Sequence, residues 1–304
     1  MKQHVGLVGV GNVGGRMARD LVAAGHPLTV FDVNSETMAR ATELGAAIAQ
    51  SPMEVARQVD IVLLSLPNSD IVDSVVESED GVLAGLAEGK LLVDMSTSLP
   101  KRTLRLVDVC KARNVRMIDA PISFGPHGMD IMVGGPEEWF EEAKPIFDVV
   151  GHKATWVGPH SHGNVTKLVQ NMISGVGIAI IAEMLAFAVK AGVDPERMLE
   201  AIRTTGAGSR QLEYGVPRML AHDFGTGGQL ALHYKDVKYA LQTAHELNAV
   251  TPFTAALYDV FNGALADGDK RWEQVGCITY WERLMGVDVS QAGTARSSSA
   301  ALAD

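Results

Sequence analysis

Val5-Gly6-Leu7-Val8-Gly9-Val10-Gly11-Asn12-Val13-Gly14-Gly15-Arg16-Met17-Ala18 is the stretch that decides the fold class. An apolar run of strand character breaks into glycines at 9, 11 and 14, and a helical pattern opens directly behind them. In a strand-turn-helix of this spacing, Gly9 serves the tight turn and Gly11 lets backbone approach a pyrophosphate. Gly14 allows close packing of helix on strand. The helix N-terminus then offers unpaired N–H groups and a positive dipole end to phosphates. A glycine triplet alone is weak evidence in a chain with 31 glycines. Here a second strand-like run ends in Phe31-Asp32, about 20 residues on, where a carboxylate accepts hydrogen bonds from a ribose diol. Gly9, Val10, Gly11, Asn12, Val13, Gly14 and Asp32 therefore form a candidate dinucleotide cradle. The competing reading is a tight turn followed by an Asp that caps the next helix. Asp32 also selects NAD, because a carboxylate repels the 2′-phosphate of NADP and Val33 and Asn34 supply no arginine to receive it.

Outward from this segment, short aliphatic runs alternate with amphipathic stretches. Strands are expected at His4–Val8, Pro27–Phe31, Ile61–Leu66, Leu91–Asp94, Arg116–Asp119, Ile131–Gly134 and Ala154–Val157. Helices are expected at Arg16–Ala24, Ser35–Leu44, Pro52–Val59, Ile71–Ser78 and Lys101–Arg113. Such alternation predicts a Rossmann-type, doubly wound, mostly parallel α/β sheet. After Ser161 the strand signals stop. The remainder reads as helices at His162–Ala191, Asp194–Thr204, Ser209–Ala221, Leu232–Leu247, Thr251–Asp267 and Trp272–Met285. The expected organisation is a dinucleotide-binding domain over 1–162 and an all-helical domain over 163–289. A long helix links them, and a disordered tail follows over 290–304.

Composition narrows the function classes. The 304 residues are 47% hydrophobic and 20% charged, the proportions of a globular protein. A net charge of −10 disfavours a nucleic-acid or anionic-membrane partner. Cys110 and Cys277 belong to no metal-ligand spacing, so no metal is expected. The same usage, with no apolar leader before the first strand, points to a reducing, cytoplasmic location. The apolar stretch Met172–Val189 contains Glu183 and follows Lys167 and Asn171, which favours a buried helix over a membrane span.

At the junction stands Gly163-Asn164-Val165-Thr166-Lys167-Leu168-Val169-Gln170-Asn171. On a helix Lys167 and Asn171 share one face. An ammonium at the head of an apolar helix is costly unless used or paired, and burial can bring a lysine to roughly pH 7–8, where it exchanges protons. Asn171 then holds a substrate hydroxyl or the lysine itself. The plain alternative is a solvated lysine in an exposed first turn.

These segments, taken with Asp94-Met95-Ser96-Thr97, Asp119-Ala120-Pro121-Ile122-Ser123, Ile131-Met132-Val133-Gly134-Gly135 and Lys235-Asp236, resemble the β-hydroxyacid dehydrogenases. That family includes the 3-hydroxyisobutyrate dehydrogenases and tartronate semialdehyde reductases. The resemblance spans nearly all of residues 4–286. It implies hydride transfer between NAD and the alcohol carbon of a small hydroxy acid, or the reverse reduction of a semialdehyde. It assigns Lys167 as general acid/base and Asn171 as its partner on the substrate. Ser123, Phe124, Gly125 and Lys235 fall to the substrate. Leu66, Pro67, Ser96, Thr97, Lys235 and Asp236 fall beside the cofactor. It further implies a homodimer or homotetramer, and an active site beneath the carboxyl ends of the strands, closed by the helical half. A non-catalytic dinucleotide-binding regulator is the alternative of a different class.

One segment departs from the family pattern. Ser123-Phe124-Gly125-Pro126-His127-Gly128-Met129-Asp130 is shorter than its counterpart and carries Phe124 where glycine is expected. A side chain there restricts the backbone. The expectation is a more open pocket with Phe124 as an apolar wall and His127 either a polar contact or a surface residue. Elsewhere, His160-Ser161-His162 lacks a third ligand, Ser96 and Thr97 double as turn or cap residues, and Trp272 and Trp281 read as core or subunit-contact residues.

Overall fold

The computed structural model describes residues 2–225 and 228–292. The chain divides into two compact units, Met1–Lys167 and Leu168–Asp304. In the first unit the elements run β1 (Val5–Val8), α1 (Asn12–Ala23), β2 (Leu28–Phe31), α2 (Ser35–Glu43), β3 (Ala47–Ile48), α3 (Pro52–Gln58) and β4 (Ile61–Leu64). They continue through α4 (Ser69–Glu77), α5 (Val82–Gly85), β5 (Leu91–Asp94), α6 (Pro100–Lys111), β6 (Arg116–Asp119), β7 (Ile122–Gly125), β8 (Gly128–Gly134), α7 (Glu137–Val150) and β9 (Lys153–Gly158). The long helix α8, His162–Lys190, starts here and runs into the second unit.

The strands form one sheet in the order β3-β2-β1-β4-β5-β6-β8-β7, with β9 on β8. The first six are mutually parallel, and β8 runs antiparallel to β6 and β7. Strands β1, β4 and β5 are buried throughout, which is why they read as continuous aliphatic runs. Alternate side chains feed two cores. Leu7, Leu63 and Val93 pack on the face that carries Met17 of α1 and Phe147 of α7. Val8, Leu64 and Leu92 pack on the other, with Val55 of α3 and Leu106 of α6. Strand order reverses between β1 and β4, and in such sheets ligands bind outside the carboxyl ends at that reversal.

Two strands escape the sequence pattern: β3, only two residues long, and β7. The segment Ser123–Asp130, expected as a shortened loop that opens the pocket, is a β-hairpin in which Ser123 pairs with Asp130 and Phe124 with Met129. Pro126 and His127 make its two-residue connection, and Gly128 takes the positive φ of +135° that closes it.

The second unit contains α9 (Pro195–Ile202), α10 (Arg210–Leu220), α11 (Leu230–Glu246), α12 (Pro252–Asp267) and α13 (Ile278–Met285). The expected helix Trp272–Met285 is interrupted: Gln274–Cys277 is a 3-10 turn that leads into α13. The core gathers Ile178, Ala182 and Leu185 of α8 with Val216, Met219, Leu257, Phe261 and Ile278, and Trp272 and Trp281 pack against it half-buried. By length and composition α8 could cross a membrane, but that side of it is protein core. Its other side exposes Val169, Ile173, Ile180, Met184 and Phe187, which fall within one stripe at helical spacing. Of the tail expected over 290–304, Ser290 and Gln291 belong to a 3-10 turn, Val289–Gln291. Residues 293–304 lie outside the described residues.

Candidate active site

The glycine loop sits at the strand-order reversal, and each glycine answers to a measurable constraint. Gly9 has φ +90°, and a Cβ there would lie 2.3 Å from the Ser65 carbonyl oxygen just past β4. A Cβ on Gly14 would lie 1.9 Å from the Gly9 carbonyl oxygen. A Cβ on Gly11 meets nothing within 4 Å, so the backbone there faces open space. Gly11 is also the N-cap of α1, with no side-chain cap and no acid in the first turn, whereas Asn34, Ser51 and Asn68 cap α2, α3 and α4. First-turn amides without a side-chain acceptor, beside accessible backbone, are what a pyrophosphate requires.

Asp32, at the end of β2, accepts the Val10 amide on Oδ2 at 2.7 Å and the Asn34 amide on Oδ1 at 2.9 Å. It thereby ties the glycine loop to the neighbouring strand. The cap of α2 is Asn34, not Asp32. Each carboxylate oxygen accepts more than one donor, and Asp32 is half-exposed, so capacity for a ribose diol remains. Cradle, helix terminus and acid together fit a dinucleotide.

Ser96 is buried, and its hydroxyl accepts the Leu66 amide at 3.0 Å. It positions the segment Leu66-Pro67 behind β4. Its own amide donates to Asp94 Oδ1 at 2.9 Å, while Thr97 next to it stays half-buried.

Lys167 is buried, with 8% exposure, which removes the reading of a solvated first turn. With Asn164 (0%) and Asn171 (7%) it makes a polar stripe at i, i+3 and i+7 along α8. In the second unit, Asn171 Nδ2 donates to Asp236 Oδ2 at 2.6 Å, and Asp236 is buried inside α11 rather than surface charge. Lys235 Nζ lies 3.1 Å from Asp236 Oδ1 and over the Tyr239 ring. His233, one turn before, brings Nε2 within 2.9 Å of the Asn171 carbonyl and Nδ1 within 2.8 Å of Gln274 Oε1. A carbonyl only accepts, so Nε2 carries a proton in this arrangement.

In the hairpin, adjacent residues point to opposite faces of the sheet. Ser123 therefore shares a face with Asp130, and Phe124 shares the opposite one with Met129. Phe124 is exposed beneath the Arg16 guanidinium, 5.6 Å from the ring centroid, so no apolar wall beside Ser123 comes from it. The His127 ring packs tilted against His152, centroids 5.4 Å apart, and a Cβ on Gly125 would meet Asp130 Oδ2 at 3.0 Å.

Sequence reading gave no role to Asp94, Asp119, Asn164 and His233. The first two had a usable signal: each ends an aliphatic run at the carboxyl edge of the sheet, and both are fully buried. The partners of Asn164 and His233 lie far away in the chain and leave no local trace. His160, singled out with His162, donates from Nε2 to the Met117 carbonyl at 2.9 Å. Among the described residues, potential metal ligands converge only at His222, Glu282 and Asp288. There Glu282 Oε1 already accepts His222 Nε2 and the Val289 amide.

Fold and cradle define a dinucleotide-dependent enzyme of the Rossmann class. Residues 4–158 match the NAD binding domain of 6-phosphogluconate dehydrogenase, and 161–281 match the NAD-binding domain of NADP-dependent 3-hydroxyisobutyrate dehydrogenase. The chain is 34% identical to 2-(hydroxymethyl)glutarate dehydrogenase of Eubacterium barkeri, over 94% of this chain and 97% of that protein. It is 35% identical to 2-hydroxy-3-oxopropionate reductase of Escherichia coli, over 90% and 95%. In fold it is similar to Mycobacterium tuberculosis 3-hydroxyisobutyrate dehydrogenase solved with L-serine (TM-score 0.86, 24% identity, 92% of this chain and 99% of that one). The chain belongs to the β-hydroxyacid dehydrogenase family and is an NAD(P)-dependent oxidoreductase.

Proposed function

We propose that the protein oxidises the alcohol carbon of a small hydroxy acid of the 3-hydroxyisobutyrate type, with NAD as acceptor and Lys167 as general acid/base. The bound nicotinamide supplies hydride acceptance. The observation that carries the reading is Lys167 itself, an amine buried on a polar stripe at the head of α8, in a chain whose first unit also carries a dinucleotide cradle. Neutral Lys167 takes the hydroxyl proton during oxidation and returns it during reduction. Asn171, oriented by Asp236, holds the substrate hydroxyl or the lysine, and the family resemblance gives the carboxylate to Ser123 and Lys235. Asp32 supports NAD over NADP by the charge argument.

The test is a panel of hydroxy acids and semialdehydes offered with NAD(H) and NADP(H), run on the wild type and on Asp32→Ser. Turnover should favour NAD, and Asp32→Ser should shift the cofactor ratio toward NADP by at least about tenfold, since it removes a full charge from the ribose site. An unchanged ratio removes the assignment of Asp32. Tight NADH binding with no turnover on any member of the panel removes the 3-hydroxyisobutyrate-type substrate class.

The exposed stripe of α8 supports self-association as a homodimer or homotetramer, because a contiguous apolar surface of this kind is costly in water. Placing a charge in it, as in Ile180→Glu, should reduce the mass measured by light scattering to that of the monomer. An unchanged mass places the interface elsewhere. A cytoplasmic location is supported by two buried free thiols, Cys110 and Cys277, which burial pushes up to about 12.

A further inference from the structure

Two aspartates stand side by side at the carboxyl edge of the sheet. Asp94 ends β5, Asp119 ends β6, the two are register partners, and both have 0% exposure. Asp119 accepts two backbone amides, and Asp94 accepts the Ser96 amide and a hydroxyl. Asp94 Oδ2 accepts the Ser98 hydroxyl at 2.9 Å. The Ser98 amide donates to Asn164 Oδ1 at 2.8 Å, and Asn164 Nδ2 reaches the Thr103 hydroxyl at 3.2 Å. The Asn164 amide donates to Asp119 Oδ2 at 2.8 Å, and the Ser161 amide donates to Asp119 Oδ1 at 2.7 Å. The chain of bonds runs Asp94, Ser98, Asn164, Asp119, from one strand end to the next.

Ser161 is the residue before α8 and Asn164 the third residue within it. Their amides are among the groups that a helix N-terminus leaves without a partner, and the usual remedy is a side chain at the cap position. Here a carboxylate from a separate strand does that work. The packing admits no slack. A Cβ on Gly163 would lie 2.4 Å from the Met132 carbonyl oxygen and 2.8 Å from Asp119 Oδ2, and one on Gly134 would lie 2.7 Å from Asp119 Oδ1. Ser161 itself holds φ +71°, outside the usual range for its residue type. Lys167 follows Asn164 by three residues, on the same face of the same helix.

We propose that Asp119 and Asn164 are positioning residues for the reaction: the remote cap clamps the first turn of α8 and so fixes where the Lys167 amine sits. The proposal rests on the reading of Lys167 as the acid/base. A near-attack geometry tolerates little error, and a displacement of about 1 Å remote from the chemistry can cost on the order of 10²-fold in rate. Burial pushes Asp119 up to about 7, against the two amide donors that favour its charged form, and the neighbouring Asp94 adds to the upward push. Such a group is an expensive way to cap a helix, so a purely architectural cap would be better served by a local serine.

Asp119→Asn keeps the shape but turns an N–H toward one of the two amides. The variant should lower kcat by about 10- to 100-fold per NADH-binding site, while the Kd for NADH and the KM for the hydroxy acid stay within about twofold. A merely structural role would instead reduce the number of binding sites and leave kcat per site unchanged. If Asp119→Asn does not fold, Asn164→Ala serves, since it cuts the ties to Ser98 and Thr103; it too should lower kcat per site. Wild-type kcat per site in a folded variant of either kind, alongside an inactive Lys167→Ala, overturns the positioning role and leaves the acid/base reading standing. An active Lys167→Ala removes both.

Discussion

Lys167→Ala should bind NADH with wild-type affinity and lose about 10²- to 10⁴-fold in kcat, the span by which a positioned proton-transfer group accelerates such a step. The affinity is retained because the cradle is built from Gly9, Gly11, Gly14, the α1 terminus and Asp32, none of which the substitution touches. The rate falls because hydride cannot leave the alcohol carbon productively while the hydroxyl keeps its proton, and water is a poor substitute base. Stopped-flow absorbance of NADH and a fluorescence titration separate the two effects. Weakened NADH binding with kcat intact would give the lysine to the cofactor instead.

Gly14→Ala should abolish dinucleotide binding and destabilise the first unit. The added Cβ would lie 1.9 Å from the Gly9 carbonyl oxygen and 2.9 Å from the Gly9 carbonyl carbon. Both are backbone atoms, and Gly9 is itself pinned at φ +90° against Ser65, so the loop cannot give way cheaply. The helix must move outward, which costs on the order of 1–3 kcal/mol and carries the first-turn amides off their target. NADH affinity should fall by at least about 10²-fold, equivalent to roughly 2.7 kcal/mol. Gly11→Ala supplies the contrast. Its Cβ meets no atom within 4 Å, so the variant should melt like the wild type, yet bind NADH poorly because the methyl occupies the face left for the phosphates. Equal behaviour of the two variants would refute the separate roles given to these glycines.

What could be read ahead of the structure follows a physical divide. The parallel strands were readable because strands buried on both faces must be continuously aliphatic, and the cradle because three glycines and an acid hold fixed spacing in one βαβ unit. The hairpin Ile122–Gly134 was not. Gly-Pro-His-Gly reads as loop, and only pairing across the turn reveals that Ser123 and Phe124 face apart. The exposed stripe of α8 was hidden for another reason: a helix apolar all round has no periodic contrast, so its solvent side cannot be told from its core side. Asp119 and Asn164 were hidden because their bonds join residues more than forty positions apart.

A crystal structure of the protein with NAD and a poorly turned-over hydroxy acid analogue measures the decisive distance. The Lys167 nitrogen should lie within about 3.2 Å of the analogue's hydroxyl oxygen, or be joined to it through one ordered water. A lysine nitrogen turned away from that oxygen, with another side chain in its place, would contradict it.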